Sequence, residues 1–407
     1  MSVIGMAQDF VGSNNINLLV PSGQFGTRLV GGADAASARY IFTSLSPITR
    51  CLFPEEDDAL LTYREDDGLL IEPNFFCPII PLLLVNGASG IGTGWSSFIP
   101  QCNPRDVIAY IRAKIDSSST LPPIRPWVRG FIGDLVMSND GLGFISFGVA
   151  TTMNTKTLHI SELPVGKWTS NYKELLLKMR EKGDILSFVE DHTTTAVNFT
   201  VTLQPDKLAA FELKGIHKAF GLQSNLNTTN MNAFDANNII KKFETFESMA
   251  DAHFPTRLAL YHDRKSVLES DLNYKASMLR NKAQFILAVA DGKLELTGKP
   301  RKTQSETIAR LEELDFLDAM KLKAIKNNNA VAARRLLKAS DDDDDEANDE
   351  EVNFDYLLNL PLSSLTSEKI DSLLSDAEET EGALAKLKMT TPEDMWRTDL
   401  EKLESHL

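Results

Sequence analysis

Tyr40, one of the seven tyrosines in this chain, raises the question of whether it is an ordinary aromatic or a nucleophile. It follows Arg39 directly in "SARYIFTSLS" (37–46), shortly after the glycine-rich run "GQFGTRLVGG" (23–32). A phenol with an ordinary pKa near ~10 is protonated at neutral pH and attacks poorly without help. Attack on a phosphodiester builds charge on the non-bridging oxygens, and a bidentate guanidinium matches that charge geometrically. Arg39 and Arg28, the latter inside the glycine-rich run, are the nearby guanidinium groups. The residues alone leave two readings open: a core or interface aromatic in a common Arg-Tyr dipeptide, or a nucleophile with its own cation.

A second stretch, "LLLVNGASGIGTGWSSFIP" (82–100), sets glycines at 87, 90, 92 and 94 behind an apolar run. A dinucleotide-binding turn must open a helix whose N-terminus holds pyrophosphate. Here Trp95, two serines and Pro100 follow at once, so that reading fails. Ile91 has only glycines around it in sequence, which suits a core residue badly. It suits an apolar wedge presented by backbone to an unstacked base step.

Other chemistries have little support. Cys51, Cys77 and Cys102 are widely spaced and form no CxxC pair. That excludes a disulfide framework or thiolate zinc site and suits a reducing compartment. The six histidines show no HxxxH or HExxH spacing. No run of about 18 apolar residues is present to span a membrane. The start, "MSVIGMAQDF", lacks the basic flank and long apolar core of a secretory signal. It opens into structured-looking sequence, as a domain cut in two would.

The elements that must position these groups follow from composition and pattern. A chain of 407 residues has room for roughly two or three domains. With 43% hydrophobic and 24% charged residues it is ordinary for a globular protein. The net charge of −15 argues against nucleic-acid binding only superficially. The run "DDDDDEANDEE" (341–351) carries nine of those acids and reads as a self-repelling linker or loop. Residues 1–105 are rich in glycine and proline. There "YIFTSLSPITRCLF" reads as helix or turn, and "CPIIPLLLV" as a buried strand or extended segment. A helix is expected from "NPRDVIAYIRAKI", capped by Asn103 with Pro104 at its first position. Residues 120–240 alternate strands ("GFISFGVAT", "TLHISEL", "AVNFTVTL") with helices ("NYKELLLKMREK", "PDKLAAFELK"), an α+β pattern.

Beyond residue 241 a 3-4 spacing runs through Leu258, Tyr261, Lys265, Leu268, Leu272, Lys275, Leu279, Lys282 and Ile286. A second seam holds Ile370, Leu373, Ala377, Thr380, Leu384 and Leu387. Together they predict an antiparallel helical pair. An intramolecular hairpin and a dimer contact at its tip both remain open.

Five motifs, in order, resemble eukaryotic DNA topoisomerase II of type IIA, over essentially the whole chain. They are "QDFVGSNNINLLVPSGQFGTRLVGG…SARYIF", "LFPEEDD", "PIIPLLLVNGASGIGTGWS", "ISELPVGKWT" and "RNKAQFI", with "NFDYLLNLPLSSLTSEK" near the end. The resemblance is to the C-terminal part of the DNA breakage-reunion core. It implies an α+β chain in three parts. Residues 1–55 would be the later part of a winged-helix domain carrying the active-site tyrosine. Residues 56–240 would be a tower domain with the DNA-intercalating loop. Residues 241–407 would be a long antiparallel coiled coil with a helical exit gate for homodimerisation, interrupted by an acidic disordered loop at 340–352.

The resemblance also assigns roles. Tyr40 attacks duplex DNA to give a 5′-phosphotyrosyl link and a 3′-hydroxyl, and Arg39 stabilises the developing charge. Ile91 is the intercalating residue. Trp168, which by itself reads as a half-buried core aromatic, becomes a DNA contact. So does "GLQSNLNTTN" (221–230), with Gln223, Ser224, Asn225, Asn227 and Thr228, which otherwise reads as a polar turn. Arg28 and Gln24 sit where winged-helix residues approach the cleaved strand. Mg2+ and ATP serve the full enzyme, whose ATP-binding and metal-binding parts have no counterpart in these motifs, so no metal ligand is expected here. The implied setting is the nucleus. A non-catalytic DNA-binding or dimerisation module is the alternative.

Overall fold

The structure is a computed structural model that describes residues 2–92, 94–294, 304–329, 331, 353–361 and 367–407. The acidic run expected to form a loop at 340–352 lies outside the described residues. The chain forms two compact units: Met1–Pro54 with Phe76–Arg257 and Arg397–Leu407, and Glu55–Phe75 with Leu258–Trp396. Residues 76–257 join the N-terminal segment in one unit. The helix Phe246–Ala290 gives its first turns, with Phe246, Met249 and Ala250 buried, to the first unit and the remainder to the second.

The first unit is α+β. An antiparallel four-stranded sheet runs in the order Val149–Asn154, Thr157–Glu162, Phe199–Thr202, Ser187–Glu190. Alternation along Thr157–Glu162 sends Leu158, Ile160 and Glu162 inward. Against that face pack Tyr172 and Leu176 of the helix Thr169–Glu181 and Leu208 of the helix Pro205–Lys214. Gln223–Asn227, Gly143–Phe147 and Asp134–Met137 form a three-stranded antiparallel sheet. Two hairpins complete the unit, Ala88–Gly92 with Trp95–Ile99 and Met231–Phe234 with Ile240–Phe243. The expected strand "GFISFGVAT" breaks at Gly148 into strands of two different sheets, and the other strands and helices expected between 143 and 214 form where their patterns place them.

Two local expectations meet different outcomes. Asn103 caps the helix Pro104–Ile115, its Oδ1 accepting from the Arg105 N–H at 3.0 Å. The apolar run after Cys77, expected to be extended, turns at Pro81 into the short helix Leu82–Asn86. A run that is apolar at nearly every position has no periodicity to separate strand from helix. Gly87, with φ 67°, ends that helix, and a Cβ there would strike the Ile99 carbonyl oxygen at 2.5 Å.

A buried amide ties this unit together. Asn15, 4% exposed, directs Nδ2 at the carbonyls of Val85 (2.8 Å), Cys102 (3.0 Å) and Trp127 (2.9 Å). Its Oδ1 accepts from the Arg129 N–H at 2.9 Å. Next to it, the Asn86 side chain both donates to and accepts from the Ile16 backbone at 2.9 Å.

In the second unit Tyr63–Asp66 pairs with Leu69–Pro73 through Asp67-Gly68, both at positive φ as a type I′ turn requires. Tyr261 stacks on Trp396 at 5.5 Å, and Arg264 lies over Tyr261 while its Nε donates to Asp57 at 2.7 Å. The long helix and the helix Ser367–Met389 run antiparallel. Ile286 shares a core with Ile370 and Leu373, Arg280 pairs with Glu381 at 2.7 Å, and Lys265 Nζ donates to the Lys388 carbonyl at 3.1 Å. Ile370, Leu373, Ala377 and Leu384 are buried, as their spacing predicts. On the long helix the expected seam is followed only in part. Lys275 is exposed, and Ser270, Ala276 and Ala283 take inward positions. Lysines hold their charged heads in water and cannot fill a seam. Among the described residues no helix is long and apolar enough to cross a membrane.

One buried group makes stability depend on pH. His253 Nε2 donates to the Pro78 carbonyl at 2.9 Å. Burial, reinforced by the Arg257 charge and opposed by that bond, pushes its pKa from 6.5 down to about 4. The fold keeps this imidazole neutral, so its contribution is full above pH 6.5 and lost as pH falls from 6.5 toward 4. Denaturant titrations should show about 2 kcal/mol less stability from this group at pH 5 than at pH 7. His253→Gln should remove that part of the pH slope.

Candidate nucleic-acid interface

Tyr40 stands on a strap held at both ends by backbone. The Asp34 carboxylate accepts from the Thr27 N–H (2.8 Å), Thr27 Oγ1 (2.6 Å) and Gln24 Nε2 (3.1 Å). Burial opposes its ionisation, but these hydrogen bonds outweigh it and hold the carboxyl below the usual range. Gly32 N–H reaches the Thr27 carbonyl and Ala36 N–H the Gln24 carbonyl, each at 2.9 Å. The turn is tight enough that a Cβ on Gly26 would lie 2.6 Å from Gly32 Cα. The chain leaving it makes a single 3-10 turn, Ala38–Tyr40, and is then clamped again by the Ser22–Phe42 bridge.

Tyr40 ends up 72% exposed, with the Arg39 guanidinium 5.9 Å from its ring centre. Among the described residues no group is hydrogen bonded to its hydroxyl. The core-aromatic reading is therefore removed, and a phenol and a guanidinium both face solvent on one short turn.

Ile91 lies on the hairpin Ala88–Gly92/Trp95–Ile99, opposite Ser96, and is 82% exposed. No helix follows the glycines, so the failure of the dinucleotide reading stands. A Cβ built at Gly90, Gly92 or Gly94 would meet nothing within 4 Å. The hairpin projects an aliphatic side chain on a nearly bare backbone.

Trp168 is half-buried and does two things. It packs edge-on against Phe10 at 5.8 Å, and its indole lies so close to Gly31 that a Cβ there would collide with it. It thus braces the glycine-rich run that leads to Tyr40. It also borders a groove of about 460 Å³, lined in part by Gly12, Ser89, Phe98, Ser224 and Asn225. The base of the Ile91 hairpin therefore meets the 223–227 segment across this groove.

Two expectations need correction. Arg28 is buried, 5% exposed, and ion-paired with Glu162 through both terminal guanidinium nitrogens. Its run turns inward toward the sheet, where Glu162 ends an inward-facing alternation and also accepts from the Leu163 N–H at 2.7 Å. Arg28 holds the fold and cannot reach a nucleic-acid backbone. The 221–230 segment is no loop, since Gln223–Asn227 is a strand paired with Gly143–Phe147. Its alternation leaves Gln223, Asn225 and Asn227 exposed and turns Ser224 inward, where Oγ donates to the Val165 carbonyl at 2.9 Å. Thr228 Oγ1 donates to the Leu142 carbonyl at 3.2 Å. Gln24 is exposed, but its amide is engaged by Asp34.

Asp34 and Glu162 were not legible from spacing. Asp34 follows a glycine pair as a turn-closing acid often does, the one local signal that could have marked it. Among the described residues no group of three His, Cys, Asp or Glu is arranged to hold a metal ion.

The model of the DNA gyrase/topoisomerase IV A-subunit family matches residues 1–401. The chain belongs to this family. It is 40% identical to DNA topoisomerase 2 of Pisum sativum over 99% of its length, and 42% identical to DNA topoisomerase 2-alpha of Rattus norvegicus over 98%. It spans 28% and 26% of those relatives' lengths. The solved DNA-binding, cleavage and re-ligation domain of Plasmodium falciparum topoisomerase II superposes with a TM-score of 0.85 at 39% identity, covering 99% of this chain and 54% of that one. The strap, hairpin and groove are thus features of a member of the gyrase/topoisomerase IV family.

The two arginines near the strap should separate in experiment. Removing one partner of a buried ion pair leaves the other charge uncompensated, at a cost of about 3–5 kcal/mol. Arg28→Ala should lose stability on that scale in denaturant titrations, whereas Arg39→Ala, at an exposed site, should change it by less than about 0.5 kcal/mol.

Proposed function

We propose that this chain is the strand-cleaving and rejoining part of a type II DNA topoisomerase, acting through Tyr40. The observation that carries the reading is an exposed tyrosine beside an exposed arginine on a clamped strap, in a chain of this family. The names of the relatives and of the solved cleavage domain support it.

In the proposed reaction Tyr40 Oη loses its proton and attacks a DNA phosphorus. The bond from phosphorus to the 3′ oxygen breaks, and that oxygen takes up a proton to become a 3′-hydroxyl. The 5′ end stays esterified to Tyr40, and the reverse attack by the 3′-hydroxyl restores the strand. Arg39 donates to the non-bridging oxygens as their charge grows. Ile91 enters a base step and bends the duplex. Trp168 lines the groove beside the duplex, and Gln223, Asn225 and Asn227 present amides to it.

Passage of a second duplex between the cut ends, with relaxation and decatenation of DNA, belongs to a homodimer closed by the helical region of the second unit. It also needs the ATP-binding and metal-binding half of the enzyme. ATP and Mg2+ act there on this reading, and no step here is routed through them. A nuclear setting follows from the eukaryotic relatives.

The test joins this chain, in cis or in trans, to the ATP-binding and metal-binding half of a type II topoisomerase. Denaturing gels then score protein covalently attached to labelled 5′ ends. Tyr40→Phe should abolish the adduct while leaving DNA affinity within about threefold. Arg39→Lys should lower the cleavage rate about 10²-fold or more with little change in affinity, since lysine lacks the planar fork. An adduct that persists in Tyr40→Phe would sink the assignment. Tight DNA binding without any adduct in the wild-type assembly would favour a non-catalytic module.

A further inference from the structure

A wedge must be stiffer than the stack it opens. Inserting a side chain into a base step costs a few kcal/mol, and a flexible support would yield before the bases part. The Ile91 hairpin is a poor support by itself. It is a two-stranded sheet, an arrangement that is marginal alone, and glycines at 90, 92 and 94 leave its end without side-chain packing. Its stiffness has to come from the side.

The lateral bonds come from one neighbouring strand, Met231–Phe234, and the residue just before it. That strand does not extend the hairpin as a third ladder; its ladder partner is Ile240–Phe243. Two asparagines bridge the gap instead. Asn232 Nδ2 donates to the Ser96 carbonyl at 2.9 Å and to Asn230 Oδ1 at 2.7 Å. Asn230 Nδ2 donates to Ser96 Oγ at 2.5 Å. In return Ser97 Oγ donates to the Asn232 carbonyl at 2.7 Å, and Phe98 N–H donates to the Asn230 carbonyl at 2.9 Å.

Ser96 is the residue directly opposite Ile91. The bracket therefore grips the hairpin at the register position of the wedge. The two asparagines also hold each other, so neither is free to swing away alone. The same stretch of chain carries Gln223, Asn225 and Asn227 on the exposed face of the preceding strand. One short segment thus presents amides to solvent and then braces the wedge.

We infer that Asn230 and Asn232 are positioning residues for Ile91, fixing the angle at which the hairpin enters DNA. This rests on the wedge reading of Ile91 proposed above. Loss of the bracket removes no charge and no inserted atom. It should change how far DNA is bent, and hardly how tightly it is held.

The experiment uses the full chain and a short duplex labelled at both ends. Energy transfer between the labels reports bending, and fluorescence anisotropy reports affinity. Ile91→Ala sets the unbent reference. Asn230→Ala/Asn232→Ala should reduce the wild-type bend at least about twofold toward that reference, with Kd changed less than about threefold. Ser97→Ala, which removes one bracket bond and leaves both asparagines in place, should give a smaller loss in the same direction. It carries the test if the double variant shows no cooperative thermal transition.

If bending in the folded asparagine variants, or in Ser97→Ala where those do not fold, equals wild type while Ile91→Ala is unbent, the inference fails and the wedge reading survives. If Ile91→Ala bends DNA normally, or the wild type does not bend it, the wedge reading fails and takes the inference with it. An equal fall in affinity and bend would make the asparagines DNA contacts, which also overturns a positioning role.

Discussion

The amide of Asn15 is the joint on which the first unit depends. Four segments distant in sequence meet at one buried side chain: the loop before the glycine-rich run, the end of the Leu82–Asn86 helix, Cys102 and the 127–129 turn. Buried polar groups demand partners, and an amide carries both donors and an acceptor at fixed angles. A hydrophobic contact between the same segments would tolerate sliding, whereas this one specifies a register. Asn86 repeats the device on Ile16, and the Gln101 amide adds a donor to the Asn86 carbonyl at 3.1 Å. The segment that leads to Tyr40 and the segment that carries Ile91 are joined through these bonds. The nucleophile and the wedge proposed above would act on one duplex and need such a fixed separation.

Both groups lie outside the core because their proposed substrate is too large to enter one. Exposure gives up the packing that normally holds a side chain in place, so the backbone has to do that work. At Tyr40 the device is a tight turn that only glycine permits at position 26, closed by the Asp34 carboxylate and braced by Trp168 on Gly31. At Ile91 it is a glycine hairpin gripped from the side by amides. At the strap the glycines allow close approach, at the hairpin they leave the backbone bare, and in each case polar groups restore the stiffness they cost. That pairing explains why both motifs read in the sequence as glycine-rich yet behave here as supports.

Local patterns were legible in the sequence and long-range polar partners were not. The alternation of Leu158, Ile160 and Glu162 and the cap at Asn103 follow from nearest-neighbour rules, and they stand where those rules put them. The run at 82–86 gave no such signal, because residues apolar on every side lack a period. Arg28 looked like a cation offered to a phosphate because of its place in the glycine-rich run and the resemblance. Its partner, Glu162, lies 134 residues away. The segment 221–230 looked like a turn because Gln, Ser and Asn are poor strand formers. Pairing with Gly143–Phe147 overrides that propensity, as tertiary context often does in sheets. The glycines around Ile91 mark it as an odd core residue, but only the resemblance singles out Tyr40 and joins the two as a pair.

With Arg28 committed to Glu162, the groove beside the wedge owes its polarity mainly to uncharged groups. Gln223, Asn225 and Asn227 alternate along one strand face, about 6.8 Å apart from one to the next. Amides can donate to phosphate oxygens and fix the register of a duplex without reading its sequence. They release no counterions in doing so, unlike lysine or arginine. A surface of this kind discriminates through shape and bend more than through charge, which is compatible with a chain of net charge −15. On the reading proposed above, binding and bending draw on different residues: amides and backbone hold the duplex in register, and Ile91 deforms it. An enzyme that must grip, cut, reseal and release the same duplex is served by that division. The deforming step can be reversed without breaking every contact that keeps the two ends in place.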